Sequence, residues 1–294
     1  MNPATLIRHT LIAACFTLAI GCRTAAFGQD PPLVEVKCLL VGPEEVEKSM
    51  KIVGGTKENE SMDVAFFDTP ALSLFSKEDL AVILRLRIET GMKDGVAETK
   101  VETTVKLRAG TKPLDSNMIS QDIIDVESGK KVEAKREGDI TLKQGDASSS
   151  KKDSYSLNAR VPKNVDAHAV LKTGKDIASL FMKTQRDAVM KAVPGTTFDS
   201  LAVYGPVVKV LRWKKLSLGP DLPEKSGTVE RWSLPEHHGR PALEMVEFSV
   251  RVPDTEADTA KASAALKKLM ATMDVTLATG SEAKTKIVLE HFSN

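Results

Sequence analysis

Val82-Ile83-Leu84-Arg85-Leu86-Arg87-Ile88 is the stretch that decides how this chain folds. Residues two apart on a strand share a face and stand about 7 Å from each other. Arg85 and Arg87 therefore fall on one face, and Leu84, Leu86 and Ile88 on the other. The same division recurs along the chain. Glu35 and Lys37 oppose Val34, Val36 and Cys38; Thr104, Lys106 and Arg108 oppose Val105 and Leu107; Lys135, Glu137 and Asp139 share a face, as do Arg212 and Lys214. A solvated face is the ordinary source of such alternation. The paired arginines count against it, because like charges at adjacent same-face positions repel unless a carboxylate or an anionic ligand lies between them.

Outward from that stretch, strand-like runs cover residues 33–41, 63–67, 82–88, 101–107, 132–142, 154–161, 207–216, 228–234 and 243–252. They are rich in β-branched or large apolar residues, and most are bounded by Gly, Pro, Asp or Ser. An antiparallel sheet of about eight or nine strands is expected. Helical pattern covers 43–53, stopped by Gly54 and Gly55, and 165–193, where one or two helices end before Pro194-Gly195. A third helix is expected from Asp254, read as its N-cap, to about Met273. Residues 109–130 and the tip 144–153 read as loops, and His237 and His238 as exposed residues of a turn bounded by Pro and Gly.

Composition narrows the function. Lys and Arg number 41 against 40 Asp and Glu, so the chain lacks the basic excess that general nucleic-acid binding requires. A chain of this balance can hold a polyanion only by gathering its basic residues in one place. Residues 1–28 have the layout of an export signal: Arg8, an apolar stretch from Thr10 to Ile20, then small residues. Cleavage after Ala26-Phe27-Gly28 would release a soluble exported protein, whereas Ala19-Ile20-Gly21-Cys22 is a loose lipoprotein box that would anchor Cys22 in a membrane. Residues 31–294 are expected to form a single domain. Of three cysteines, Cys15 and Cys22 lie in the leader, which excludes a disulfide framework and leaves Cys38 as a small buried apolar residue.

Phe66-Phe67-Asp68-Thr69-Pro70, followed by Leu84-Arg85-Leu86-Arg87, resembles the signature of the CYTH superfamily, the triphosphate tunnel metalloenzymes. Val34-Glu35-Val36-Lys37 looks like the end of that family's opening Glu-x-Glu-x-Lys strand, and Thr104-Val105-Lys106-Leu107 like its Thr-Leu-Lys strand. Gly205-Pro206-Val207 with Arg212-Trp213-Lys214, then Val229-Glu230, Glu247, and Lys284-Thr285-Lys286 before Leu289-Glu290 continue the likeness. It spans roughly residues 33–293.

The resemblance implies an α+β fold, an eight-stranded antiparallel β tunnel with a few flanking helices and its charged face inward. It implies that Lys37, Arg85, Arg87, Lys106, Arg108, Lys135 and Arg212 grip the phosphates of a phosphorylated small molecule or polyphosphate. Glu35, Glu230 and Glu247 would hold Mg or Mn, and Glu35, Lys37 and Arg212 would serve catalysis. Trp213 and Trp232 would pack in the core or on the tunnel wall, while Asp68 and Thr69 fix a turn.

The acids depart from the pattern. Leu33 stands where the first glutamate of the opening strand belongs, Glu244 and Glu247 are three apart and face opposite ways, and the same-face neighbour of Glu230 is Trp232. Fewer charged oxygens mean weaker binding of a hard cation. Glu137 and Asp139 can add to the acidic set or serve as counter-charges for Arg85 and Arg87. Three functions follow: metal-dependent triphosphate hydrolysis, non-catalytic binding of an extracytoplasmic polyanion, or a structural domain with internal salt bridges.

Overall fold

The alternating runs pair into a closed ring. The computed structural model describes residues 33–54, 60–93, 96–145, 151–278 and 284–293, so the expected leader 1–28 lies outside the described residues. Ten strands are present among them: β1 (Leu33–Val41), β2 (Glu60–Asp68), β3 (Leu80–Lys93), β4 (Val96–Ala109), β5 (Gln121–Ile124), β6 (Lys131–Leu142), β7 (Lys151–Arg160), β8 (Ala202–Leu216), β9 (Gly227–Leu234) and β10 (Leu243–Pro253). Their order is β1-β10-β9-β8-β2-β3-β4-β7-β6-β5, and β6 pairs back onto β1.

That last pairing corrects two expectations. The ring has nine strands rather than eight, and it is mixed rather than purely antiparallel, because β1 and β6 run parallel from Val34↔Gly138 to Cys38↔Leu142. The tenth strand, β5, lies outside the ring as a partner of β6 alone and falls in the segment expected to be loop.

The helices are α1 (Pro43–Met50), α2 (Ala167–Thr173), α3 (Lys183–Ala192), α4 (Glu256–Thr272) and α5 (Lys284–Phe292). The cap of α4 is Thr255, whose hydroxyl accepts from the Asp258 amide; Asp254 instead pairs with Lys151. Helix α5 has no counterpart among the expected elements.

Apolar strand faces point outward and are covered by helices. Leu84, Leu86, Val105, Leu107 and Leu157 pack with Val170 of α2 and Val189 of α3. Val34, Val36, Phe248 and Val250 pack with Val46 of α1 and Leu266 and Met270 of α4. Each fully buried side chain of this size contributes roughly 1.5–3 kcal/mol. Helices thus occupy the exterior, and the charged face is left to the interior.

The interior is divided along its length. Same-face neighbours of Glu60, Arg212, Glu230 and Glu247 are Met62, Val210, Trp232 and Met245, which cluster with Phe66, Val208 and Leu234. Helix α5 packs Val288, Leu289 and Phe292 into this layer. One half of the ring is therefore apolar and filled, and the other is charged. Gly205 permits the seating of α5: its φ is +96°, and a Cβ there would stand 2.7 Å from the Phe292 ring.

Asp68 ties the turn between β2 and β3. Its carboxylate accepts from the amides of Thr69 at 2.7 Å, Leu74 at 3.0 Å and Phe75 at 2.9 Å. The Tyr204 hydroxyl donates to the Thr69 carbonyl at 2.7 Å, joining this turn to β8.

Candidate functional site

Because the strands close with charge inward, one cavity of about 560 Å³ collects side chains from across the ring. It lies within the roughly 300–1,000 Å³ typical of small-ligand sites. Thirteen lysines and arginines line it against six glutamates, an excess of seven positive charges in a chain whose net charge is +1. The basic residues are gathered in one place.

Every residue expected to grip phosphate lines this cavity: Lys37, Arg85, Arg87, Lys106, Arg108, Lys135 and Arg212. They are not equivalent. Arg212 is buried and satisfied, with Nε on Glu230 at 2.7 Å and Nη1 on Glu60 at 2.9 Å. Lys135 sits at the rim, half-exposed and paired with Glu133 at 3.0 Å. Lys37, Lys106 and Arg108 converge on the buried Asp139 at 3.0, 2.8 and 3.2 Å. Asp139 is not a counter-charge for Arg85 and Arg87: β6 lies between β1 and β7, away from β3, and its carboxylate serves these three cations instead.

Arg85 and Arg87 form the unsatisfied part of the wall. Arg85 donates one Nη2 bond to Thr104 Oγ1 at 3.2 Å, and the Thr104 hydroxyl in turn donates to Asn158 Oδ1 at 2.9 Å. The Nε atoms of Arg85, Arg87 and Arg108 are buried without a hydrogen-bond partner. Buried donors are almost always paired, and three of the four such Nε atoms among the described residues line this one cavity, the fourth being Arg231 outside it. Burial, with Arg87 alongside, pushes the Arg85 guanidinium down to about 9. Burial and the nearby Arg212 lower Arg87 as well. A guanidinium does not surrender its proton in practice, so both arginines stay charged within the wall.

Elsewhere the charges are mutually held. Burial raises the Asp139 carboxyl, but Lys37, Lys106 and Arg108 outweigh it and hold it far below the usual carboxylate range. Burial opposes the Lys37 charge, yet Asp139 and Glu35 keep its ammonium above the ordinary lysine value. For Lys106 burial prevails over Asp139, helped by Lys37, and lowers it. Cys38 lies on the outer face, and burial pushes its thiol up to about 12, leaving it inert.

The three glutamates expected to hold a metal do not come together. Glu230 and Glu247 are register partners on β9 and β10. Glu35 faces Arg251, whereas Glu247 faces Leu39, four residues further along β1 and about 13 Å away at strand rise. Glu35 bonds Lys37 at 3.3 Å, and Lys284 of α5 lies between Glu230 and Glu247 at 2.6 and 2.7 Å. Among the described residues no group of three His, Cys, Asp or Glu is placed to hold a metal ion. The acidic set does not fit the expected Mg or Mn site. In the sequence Lys284 is legible only as part of the Lys284-Thr285-Lys286 motif, and nothing local marks it as the partner of two distant glutamates.

No family model matches the chain, and no curated protein matches it. Solved structures do. A Hippeastrum protein described as an adenylyl cyclase candidate with a dominant triphosphatase activity aligns at 12% identity and TM-score 0.46, over 87% of this chain and 94% of its own. A Bacillus halodurans protein described as an adenylate cyclase candidate aligns at 14% and 0.46, over 87% and 97%. A Pyrococcus horikoshii protein aligns at 13% and 0.40, over 87% and 98%. The ring closes with its charged face inward, as the sequence resemblance to the CYTH superfamily implies.

Proposed function

We propose that this chain is an exported protein that holds a triphosphate or inorganic polyphosphate in its tunnel. The three unpartnered Nε donors of Arg85, Arg87 and Arg108, in a cavity lined by thirteen lysines and arginines against six glutamates, carry the reading. Arginine offers a planar fork to phosphate oxygens and lysine a compact charge. Asp139 keeps Lys37, Lys106 and Arg108 pre-assembled, so little ordering is left for the ligand to induce. If residues 1–28 direct export, inorganic polyphosphate suits the location better than nucleoside triphosphates, which are scarce outside the cytoplasm.

Hydrolysis is a second reading, favoured by the placement of Glu35. All three glutamates line the cavity, but the Glu35 side chain is 26% exposed against 10% and 12% for Glu230 and Glu247, whose oxygens are held by Lys284. Lys37 draws the Glu35 carboxyl below the ordinary value despite burial, which keeps it ionised at neutral pH.

Calorimetric titration of the purified mature chain with tripolyphosphate tests the first reading. Micromolar binding that weakens at least tenfold in Arg85→Ala and falls with salt supports it; heat that is unchanged in Arg85→Ala and Arg87→Ala refutes it. Phosphate release measured in parallel, and abolished by Glu35→Gln, supports the second.

A further inference from the structure

We propose that the tunnel takes up its polyanion without a divalent cation, because the ammonium of Lys284 is the resident cation of the acidic pair Glu230 and Glu247. The inference rests on the polyanion reading of the same cavity.

Register places these two carboxylates directly opposite each other on β9 and β10, an arrangement that repels unless a cation intervenes. Lys284 Nζ supplies it, 2.6 Å from Glu230 Oε2 and 2.7 Å from Glu247 Oε1. The ammonium also stands 4.3 Å from the centroid of the Trp232 ring, a cation–π contact, and the Trp232 indole N–H donates to Glu230 Oε2 at 3.0 Å. Arg212 takes the other oxygen of Glu230, so neither oxygen is left for a metal. A hard cation wants about six oxygens.

Lys284 is not a loose side chain borrowed for the purpose. Its helix is fixed by Val288, Leu289 and Phe292 in the apolar half of the ring, by Arg240 donating to the His291 and Ser293 carbonyls, and by His291 Nε2 at 2.8 Å from the Pro235 carbonyl. A covalently delivered charge of this kind has no dissociation step. Chelators cannot remove it, and magnesium in solution competes for the polyanion instead of recruiting it.

The test pairs two titrations. Wild-type chain is titrated with tripolyphosphate in EDTA and again in excess magnesium, and wild-type and Lys284→Met chains are each titrated with MnCl₂ alone. Expected are equal or tighter tripolyphosphate binding in EDTA, no manganese uptake by the wild type, and uptake of one manganese ion by Lys284→Met that Glu247→Gln in the same chain abolishes. Tripolyphosphate binding that requires magnesium overturns the inference while leaving the tunnel reading intact. Absence of binding in both buffers overturns the tunnel reading itself. Manganese uptake by the wild-type chain overturns the assignment of Lys284 however the anion behaves, and needs no variant to fold.

Discussion

Replacing Asp139 by Asn should make the protein less stable and at the same time a tighter anion binder. Asp139 is 4% exposed and neutralises three cations at 3.0, 2.8 and 3.2 Å. Removing one partner of a buried ion pair costs about 3–5 kcal/mol, because the charge left behind is uncompensated. At roughly 2–4 °C per kcal/mol for a chain of this size, the melting temperature should fall by about 6–20 °C. The loss has a sign in pH as well. The folded Asp139 carboxyl is depressed, so its contribution is complete above the unfolded value of about 3.9 and is lost as pH falls toward the lower folded value. The gap between wild type and variant should therefore be constant from neutral pH to about 5 and close only in strong acid. Freed of its counter-charge, the cationic wall attracts phosphate more strongly. One unit charge at roughly 8 Å and an effective dielectric near 20 is worth about 2 kcal/mol, close to thirtyfold in affinity at low salt. Differential scanning fluorimetry with and without tripolyphosphate reads both effects. Ligand at a hundred times its Kd should return about 2.7 kcal/mol. A variant as stable as wild type, or one that binds the anion more weakly, would refute the view of Asp139 as an internal stand-in for phosphate.

Two further substitutions probe the scaffold. Gly205→Ala is expected to lose at least about 1–2 kcal/mol from its positive φ, plus the displacement of Phe292. Urea unfolding should show a smaller loss when Phe292→Ala is combined with it. Asp68→Ala strips three backbone amides of their acceptor, and should cost about 2–4 kcal/mol in the same assay, each orphaned group carrying a desolvation penalty, while tripolyphosphate affinity is unchanged.

The strands were legible because alternation is local. All nine expected runs coincide with ring strands, one of them overrunning β7 by a single residue at Val161; the runs allow eight or nine strands, and the family resemblance points to eight. Strand β5 escaped because Gln121-Asp122-Ile123-Ile124 is too short to display a period and pairs on one side only. The parallel join of β1 to β6 escaped because nothing in either strand names a partner about a hundred residues away, as the separation of 102 between Lys37 and Asp139 illustrates. The same limit explains the site. Which residues face inward follows from parity, but who pairs with whom follows from neighbourhood. Parity leaves Asp139 open between the acidic set and Arg85 and Arg87, whereas its neighbours are Lys37, Lys106 and Arg108, and it groups Glu35 with acids that lie a third of a strand length or more away. Helix α5 carries its site residue at its first position, where no pattern points to it.

The parallel closure also fixes when the cavity comes into being. Strand β1, the first of the ring to be made, waits for β6 on one side and for β10, the last, on the other. Until then it offers unpaired backbone on both edges, a template for pairing with other chains, and such distant pairings form slowly. The cationic wall exists as a concave site only once the ring has shut, so a polyanion that needs the whole wall has nothing complete to hold beforehand. Polyphosphate should therefore act as a latch rather than a guide, prolonging the life of the finished protein by slowing its opening while leaving the rate of its folding nearly untouched.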